Sequence, residues 1–353
     1  MPDIRITIDG KEIAVPRNST ILDAAELAGI KIPTLCDHPA LKPIGACRIC
    51  LVEVEKQRVL QPACTFPVSE GMVVHTNSPA VREARRFVLE LLLSDHPLDC
   101  MTCDKAGGCE LQNLAYEYGI KESRFPGQQH HYEVSPDDNP FILRDYNKCI
   151  LCRRCIRACE EVNGVEAIGL IHRGFDSKVG TVFDGTLEDS PCEFCGMCVA
   201  TCPTGALIPK NCVGAGRIWE MKKVTTICPY CGVGCTVDLN VKDNKIVSVS
   251  SNWEGPANKG LTCVKGRFGW DFVQHPDRLT TPLIKKDGQF VPASWDEALD
   301  LVADKFVEIA QKHGPDALAF LSSAKCTNEE NYLLQKLGRG LVGTNNLDHC
   351  ARL

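Results

Sequence analysis

Nineteen of the 22 cysteines stand in groups of three or four, and one histidine joins them. Cys36, Cys47, Cys50 and Cys64 are spaced C-x10-C-x2-C-x13-C. His96, Cys100, Cys103 and Cys109 follow as H-x3-C-x2-C-x5-C. Cys149, Cys152, Cys155 and Cys159 form C-x2-C-x2-C-x3-C, and Cys192, Cys195, Cys198 and Cys202 repeat that run before Pro203. Cys228, Cys231, Cys235 and Cys263 close the series as C-x2-C-x3-C-x27-C. Thiolates are the soft ligands of iron–sulfur clusters, and a cluster with four ligands needs them in short, fixed runs. Five such groups on one chain predict a path for electrons. Cys212 falls outside the groups and reads as a plain thiol.

Two other uses of cysteine are weighed against this one. Disulfide scaffolds are usually short and secreted, whereas this chain has 353 residues and opens directly on a strand with no signal-like segment. Zinc sites use C-x2-C pairs, but usually as two separated pairs. The doubled C-x2-C-x2-C-x3-C run is instead the pattern of a two-[4Fe–4S] ferredoxin domain, in which the fourth cysteine of each run crosses to the other cluster. One cluster is thus expected on Cys149, Cys152, Cys155 and Cys202, and the other on Cys159, Cys192, Cys195 and Cys198. Arg153, Arg154 and Arg157 among the first ligands either offset cluster charge or face an acidic partner.

Composition narrows the class. The hydrophobic fraction is 44%, aromatic residues are 6%, and the length suggests two to four domains. A net charge of −6 gives no reason to expect nucleic acid or an anionic membrane. No apolar run approaches the roughly 18–20 residues of a membrane span, so no spanning segment and a cytoplasmic location are expected.

The elements that must position these residues are partly legible. Ile4–Ile8 alternates, Asp9-Gly10 is a hairpin turn, and Lys11–Val15 returns as a second strand. Ser19 or Thr20 caps a helix, Ile21–Ala28, that Gly29 ends. Gly45 lets backbone N–H groups approach the sulfurs near Cys47. Ser78-Pro79 opens a helix to about Leu93. His130-His131 reads as solvated loop. Strands are expected around Val237–Asn240 and Ile246–Ser250. Capping boxes at Ser294/Glu297 and Thr327/Glu330 open helices Trp295–Lys312 and Asn328–Arg339, on either side of a buried strand Ala317–Ser322. A strand-to-helix turn of this kind is a natural seat for a pyrophosphate.

The predicted architecture is multidomain, α+β and α/β. It comprises a β-grasp [2Fe–2S] domain (1–78), a helical segment with a one-histidine, three-cysteine [4Fe–4S] site (79–140) and a two-[4Fe–4S] ferredoxin domain (141–215). A [4Fe–4S] domain (221–278) and the start of a Rossmann-like domain (279–353) follow; the latter would be a molybdopterin domain by its resemblance to molybdenum and tungsten enzymes.

The first group resembles the [2Fe–2S] domain that opens the respiratory complex I large iron–sulfur subunit and iron-only hydrogenases. The His96 group resembles the [4Fe–4S] motif of the same two families, which implies ligation by histidine. A neutral imidazole in place of a thiolate should raise that cluster's potential. The Cys228–Cys263 group resembles the first domain of molybdenum or tungsten enzymes with two pyranopterin guanine dinucleotides. That resemblance implies that Lys265 lies between cluster and pterin and assists electron transfer. The segments Ser322–Tyr332 and Gly343–Leu353 resemble formate dehydrogenase catalytic subunits; Cys326 and Cys350 match positions not known there to bind metal and are read as packing thiols.

The resemblance implies oxidation of formate to carbon dioxide, or the reverse, at a Mo or W centre. One [2Fe–2S] and four [4Fe–4S] clusters would carry the electrons. The implied partner is a flavin- and Fe–S-containing NAD(P)H subunit, a ferredoxin or a hydrogenase subunit. In those enzymes the metal ligand, a cysteine or selenocysteine followed by histidine, comes directly after the Ala-Arg-Leu that ends this chain at Leu353. The expectation is therefore an in-frame UGA codon. The alternative is a pure relay subunit of a hydrogenase or NADH-oxidising complex, with about 18 iron atoms and no Mo, W or pterin.

Overall fold

The computed structural model describes residues 3–125, 127, 129–134 and 139–350. Ala351-Arg352-Leu353, which carried part of the formate dehydrogenase resemblance, lies outside them. The chain divides into two compact units, residues 1–223 with 240–248, and residues 224–239 with 249–353.

The first unit opens with β1 (Ile4–Ile8), β2 (Lys11–Val15), α1 (Ile21–Leu27), β3 (Leu51–Val54), β4 (Gln61–Pro62) and β5 (Val73–His75). The sheet order is β2-β1-β5-β3-β4, with β1 and β5 parallel and the other neighbours antiparallel. Ile4, Ile6 and Ile8 point from β1 into a core with Ile21, Val52 and Val74, as their alternation requires. Asp9 and Gly10 both take positive φ (48° and 82°), the turn whose twist matches its flanking strands. Thr20 caps α1 in a reciprocal box with Asp23.

Next come α2 (Pro79–Ser94), capped by Ser78, and α3 (Glu110–Glu117). Leu89 and Leu93 of α2 and Leu111 and Leu114 of α3 share a core with Leu35 and Ile49 from the first cysteine loop. Glu90 is fully buried in α2, yet Arg86 (3.1 Å) and Arg124 pair with it.

The ferredoxin-like part holds β6 (Ile142–Arg144), α4 (Arg154–Arg157), β7 (Gly169–Ile171), β8 (Lys178–Gly180), α5 (Met197–Thr201) and β9 (Leu207–Pro209). β6 pairs with β9 and β7 with β8, both antiparallel. α4 runs on into a wider π-helical turn, Ala158–Val162.

A three-stranded sheet in the order β10 (Lys222–Ile227), β11 (Thr236–Lys242) and β12 (Lys245–Ser251) precedes α6 (Val264–Phe268). The second unit continues through the hairpin β13 (Leu283–Lys286)–β14 (Gln289–Pro292), α7 (Trp295–His313), β15 (Phe320–Ser322), α8 (Asn328–Gln335) and β16 (Leu347–His349). β15 and β16 pair in parallel across α8, the crossover unit of an α/β fold.

Two expectations need correction here. The strand expected over Ala317–Ser322 is only Phe320–Ser322, and Leu321 is 82% exposed, so it is not buried throughout. Residues 315–317 form a turn instead, opened by Pro315. The helix expected to Arg339 loosens at Lys336 into π-helical turns ending at Val342. Gly338 sits there because Leu347 and Phe320 press on it; a Cβ would meet Leu347 at 3.1 Å. No described helix is long and apolar enough to cross a membrane.

Candidate metal centres

The two ferredoxin-type runs fold as near copies, and the copying is in the backbone. Leu151 and Phe194, each two residues after the first cysteine of its run, have φ of 51°. Arg153 and Gly196, each one residue after the second, have φ of 60° and 72°. Left-handed conformations at non-glycine residues cost energy and gather at functional sites. Here they turn N–H groups onto sulfur: Leu151 donates to Cys149 Sγ and Phe194 to Cys192 Sγ, each at 3.4 Å.

Each of two cavities is ringed by one crossed set of thiols. Cys149, Cys152, Cys155 and Cys202 line one, with Tyr146, Val179 and Leu207 among the walls. Cys159, Cys192, Cys195 and Cys198 line the other, with Ile142, Leu187 and Met197. Burial pushes the Cys149 and Cys152 thiols up to about 12 and raises Cys155 and Cys198 as well. A metal group must displace those protons, since the thiolate is the ligand.

In the first domain Gly45, at φ of 62°, turns the loop so that Ala46 and Cys47 N–H face Cys36. The sulfurs gather together, with Cys36 in contact with both Cys47 and Cys64. Cys36 and Cys47 exchange N–H···S contacts of 3.3 and 3.4 Å, while Cys50 Sγ lies 3.4 Å from Cys64 Sγ. Hydrogen bonding to Cys36 and Cys50, then burial, raises the Cys64 thiol.

His96 is buried, and burial holds it below the usual histidine range, hence neutral and able to ligate. Its Nδ1 is buried with no hydrogen-bond partner, which a buried polar atom rarely tolerates. Cys100 and Cys109 thiols are raised by burial first, and both also feel Cys103. Cys109 caps α3, its sulfur accepting from Gln112 N–H at 3.5 Å. Gly205 is a close approach that sequence reasoning missed: a Cβ there would stand 3.1 Å from Cys103 Sγ.

In the second unit Asn258 pins the loop before Cys263, accepting from Thr236 N–H (2.9 Å) and donating to Leu261 C=O (2.6 Å). Arg267, 3% exposed, ties α6 to β12 through Val249 C=O and Ser251 Oγ. Burial raises Cys228 and Cys235, and their remaining upward push comes from each other's group, Cys231 and Cys263. All four thiols are therefore within electrostatic reach. Gly266 was also missed; its missing side chain leaves Cys228 Sγ 3.5 Å from where a Cβ would be. Lys265 lies exposed on α6 two residues past Cys263. The turn after β15 stands beside this loop, with Ala324 C=O 3.8 Å from a Cβ built on Gly232.

The residues thus fit iron–sulfur groups: thiols surround cavities, N–H donors face sulfurs and a buried imidazole nitrogen lacks a partner. Among the described residues no three His, Cys, Asp or Glu side chains close on a point the size of a single ion.

Three readings change. His130 is not solvated loop: it bonds Asp95 through Nδ1 (2.6 Å) and stacks on Phe175 at 4.0 Å, while His131 is exposed. Arg154 and Arg157 are buried and bonded within the chain, so neither faces an outside partner. Cys326 and Cys350 are exposed rather than packed, and Cys350 Sγ lies 3.4 Å from Ser323 Oγ. Burial raises the Cys212 thiol.

Five family descriptions match consecutive stretches. They are a 2Fe-2S iron–sulfur cluster binding domain (2–79), the NADH-ubiquinone oxidoreductase-G iron–sulfur binding region (85–124) and the NADH-quinone oxidoreductase subunit 3 ferredoxin-like domain (139–208). The molybdopterin oxidoreductase Fe4S4 domain (221–275) and molybdopterin oxidoreductase itself (278–353) follow. The chain is 42% identical to a G-type NADH-quinone oxidoreductase subunit of Rhizobium meliloti over 99% of its own length and 40% of the relative. It is 41% identical to the NADPH-Fe(3+) oxidoreductase subunit alpha of Geobacter sulfurreducens over the same shares, 99% and 40%. A Staphylococcus aureus relative, provisionally named a formate dehydrogenase, is 34% identical over 98% of this chain and 39% of its own. The chain therefore spans about two fifths of the length of the curated relatives it matches. A solved chain of an NAD+-reducing [NiFe]-hydrogenase shares 34% identity at a TM-score of 0.55, covering 59% of this chain and 87% of that one. The chain belongs to the molybdopterin oxidoreductase family, with an iron–sulfur front end of the NADH-quinone oxidoreductase G type.

Proposed function

We propose that this chain forms the electron-relay part, and the start of the pterin-binding part, of a molybdenum- or tungsten-dependent formate dehydrogenase that works between formate and carbon dioxide. The relay reading rests on the crossing: Cys202 lines a cavity with Cys149, Cys152 and Cys155, and Cys159 lines one with Cys192, Cys195 and Cys198. Cys36, Cys47, Cys50 and Cys64 would hold the [2Fe–2S] group, and His96, Cys100, Cys103 and Cys109 a [4Fe–4S] group. Cys228, Cys231, Cys235 and Cys263 would hold the last. When bound, the clusters supply one-electron steps and the bis-pyranopterin guanine dinucleotide centre the two-electron step of formate. The chain's own part is spacing, burial and charge. Lys265 places an exposed cation two residues past Cys263, and the turn 322–327 stands near the Gly232 loop of the same site.

The formate assignment is supported by the similarity of 322–332 and 343–353 to such subunits and by the Staphylococcus relative. The NADH-quinone, NADPH and hydrogenase relatives favour the second reading, a relay subunit passing electrons to or from a nicotinamide- or hydrogen-linked partner. Anaerobic addition of formate to the native protein, followed by electron paramagnetic resonance, separates the two. Reduced-cluster signals with Mo or W present support the formate enzyme. Silence with formate, but signals with NADH, NADPH or hydrogen in the intact complex, would leave only the relay.

A further inference from the structure

α4 carries two arginines whose surroundings are unusual. Arg154 is 3% exposed and Arg157 5%, and a guanidinium is rarely so buried unless paired. Arg154 grips both oxygens of Glu110, at 2.6 and 2.9 Å, and Glu110 directly follows Cys109 of the His96 site. Arg157 donates to the main-chain carbonyls of Cys36 and Lys42 in the loop that supplies the [2Fe–2S] thiols. Glu161, just past α4, accepts from Lys42 N–H at 2.8 Å and closes the same contact. The helix itself bears Cys155 and lies between Cys152 and Cys159.

Among the described residues Glu110 is the one carboxylate hydrogen-bonded to the pair, and it is 44% exposed; Asp37, next to Cys36, also feels the charge of both arginines. The Nε atoms of Arg154 and Arg157 are both buried with no acceptor. Cys36 and Cys152 each stand within electrostatic reach of Arg154. Buried, unpartnered guanidinium donors beside two sets of thiolate ligands suit an anionic sulfur group on each side.

We propose that Arg154 and Arg157 are positioning residues at a three-way junction. They hold the Cys36 loop, the Cys109 loop and the Cys149–Cys155 loop at fixed spacing and set the potential of the groups there. The proposal rests on the iron–sulfur relay reading. When bound, the clusters would supply a one-electron exchange, a reduced [4Fe–4S] group giving the electron that an oxidised [2Fe–2S] group takes; the arginines make and break no bond and keep their charge.

The test uses the full cluster-loaded protein. Iron content, midpoint potentials and the magnetic coupling between the reduced [2Fe–2S] and [4Fe–4S] groups are measured for Arg157→Met, Arg157→Lys and Glu110→Gln. Arg157→Met should lower the [2Fe–2S] potential, weaken the coupling and slow reduction of that cluster roughly tenfold, with iron retained. Arg157→Lys keeps the charge and should restore the potential but not the coupling. Full iron with unmoved potential and coupling in Arg157→Met overturns the junction. Should Arg157→Met lose iron, Glu110→Gln decides. Freeing Arg154 of its counter-charge should raise a neighbouring potential, and no rise overturns the proposal. Absence of any [2Fe–2S] signal in the unsubstituted protein would instead sink the relay reading itself.

Discussion

Cys159 lines its cavity with Cys192, not with Cys149 of its own run. The two runs are therefore interlocked, and neither half can complete a site alone. Cys159→Ser should weaken or convert the cluster on Cys192, Cys195 and Cys198, with an iron loss of up to about four atoms per chain. Cys202→Ser should do the same to the other cluster. Separate resonance signals and iron counts of the two variants check this; loss of the cluster on Cys149, Cys152 and Cys155 in Cys159→Ser would contradict it.

His96 carries no negative charge to its site. His96→Cys should keep the iron and lower that cluster's potential by on the order of a hundred millivolts, because a thiolate replaces neutral imidazole. Redox titration reads the shift, and an unchanged potential would place His96 outside the ligand set.

Lys265→Met should leave iron content intact and slow substrate-driven reduction of the Cys228 group roughly tenfold to a hundredfold. Rapid-mix spectroscopy measures the rate. Equal rates would return Lys265 to an exposed lysine without a role.

Glu90 ties α2 to Arg124. Burial alone would raise its carboxyl, but the bonds from Arg124 and Arg86 outweigh it and hold it below the usual carboxylate range. A depressed folded value means that the pairing stabilises the chain above the ordinary carboxylate pKa and is lost as pH falls through the folded one. Glu90→Gln should cost about 2 kcal/mol near neutral pH and less in acid. Denaturant unfolding at two pH values tests both the size and the sign.

Much of this was legible because short local rules decide it. Thr20, Ser78, Ser294 and Thr327 all cap where a hydroxyl precedes a helix-forming stretch, since the bond closes within three residues. In the two ferredoxin-type runs the thiols that line one cavity are those that the crossed pattern groups together. What escaped the reading depends on residues distant in sequence. The burial of Arg157 is decided by a carbonyl at Cys36, and nothing near Arg157 announces it. The same holds for His130, which Asp95 and Phe175 draw out of solvent. Gly205 and Gly266 matter for what their missing side chains leave room for, a constraint visible only when Cys103 and Cys228 are in place.

The left-handed residues of the two cysteine runs bear on how such a repeat drifts apart. Arg153 occupies the turn that Gly196 occupies in the second run, and both keep the same hand. What the copies hold in common is a direction of the chain, while the letter at that position has been free to change. A search for the second half of this duplication by its glycine would pass over the first half, whereas a search by torsion angle would find both.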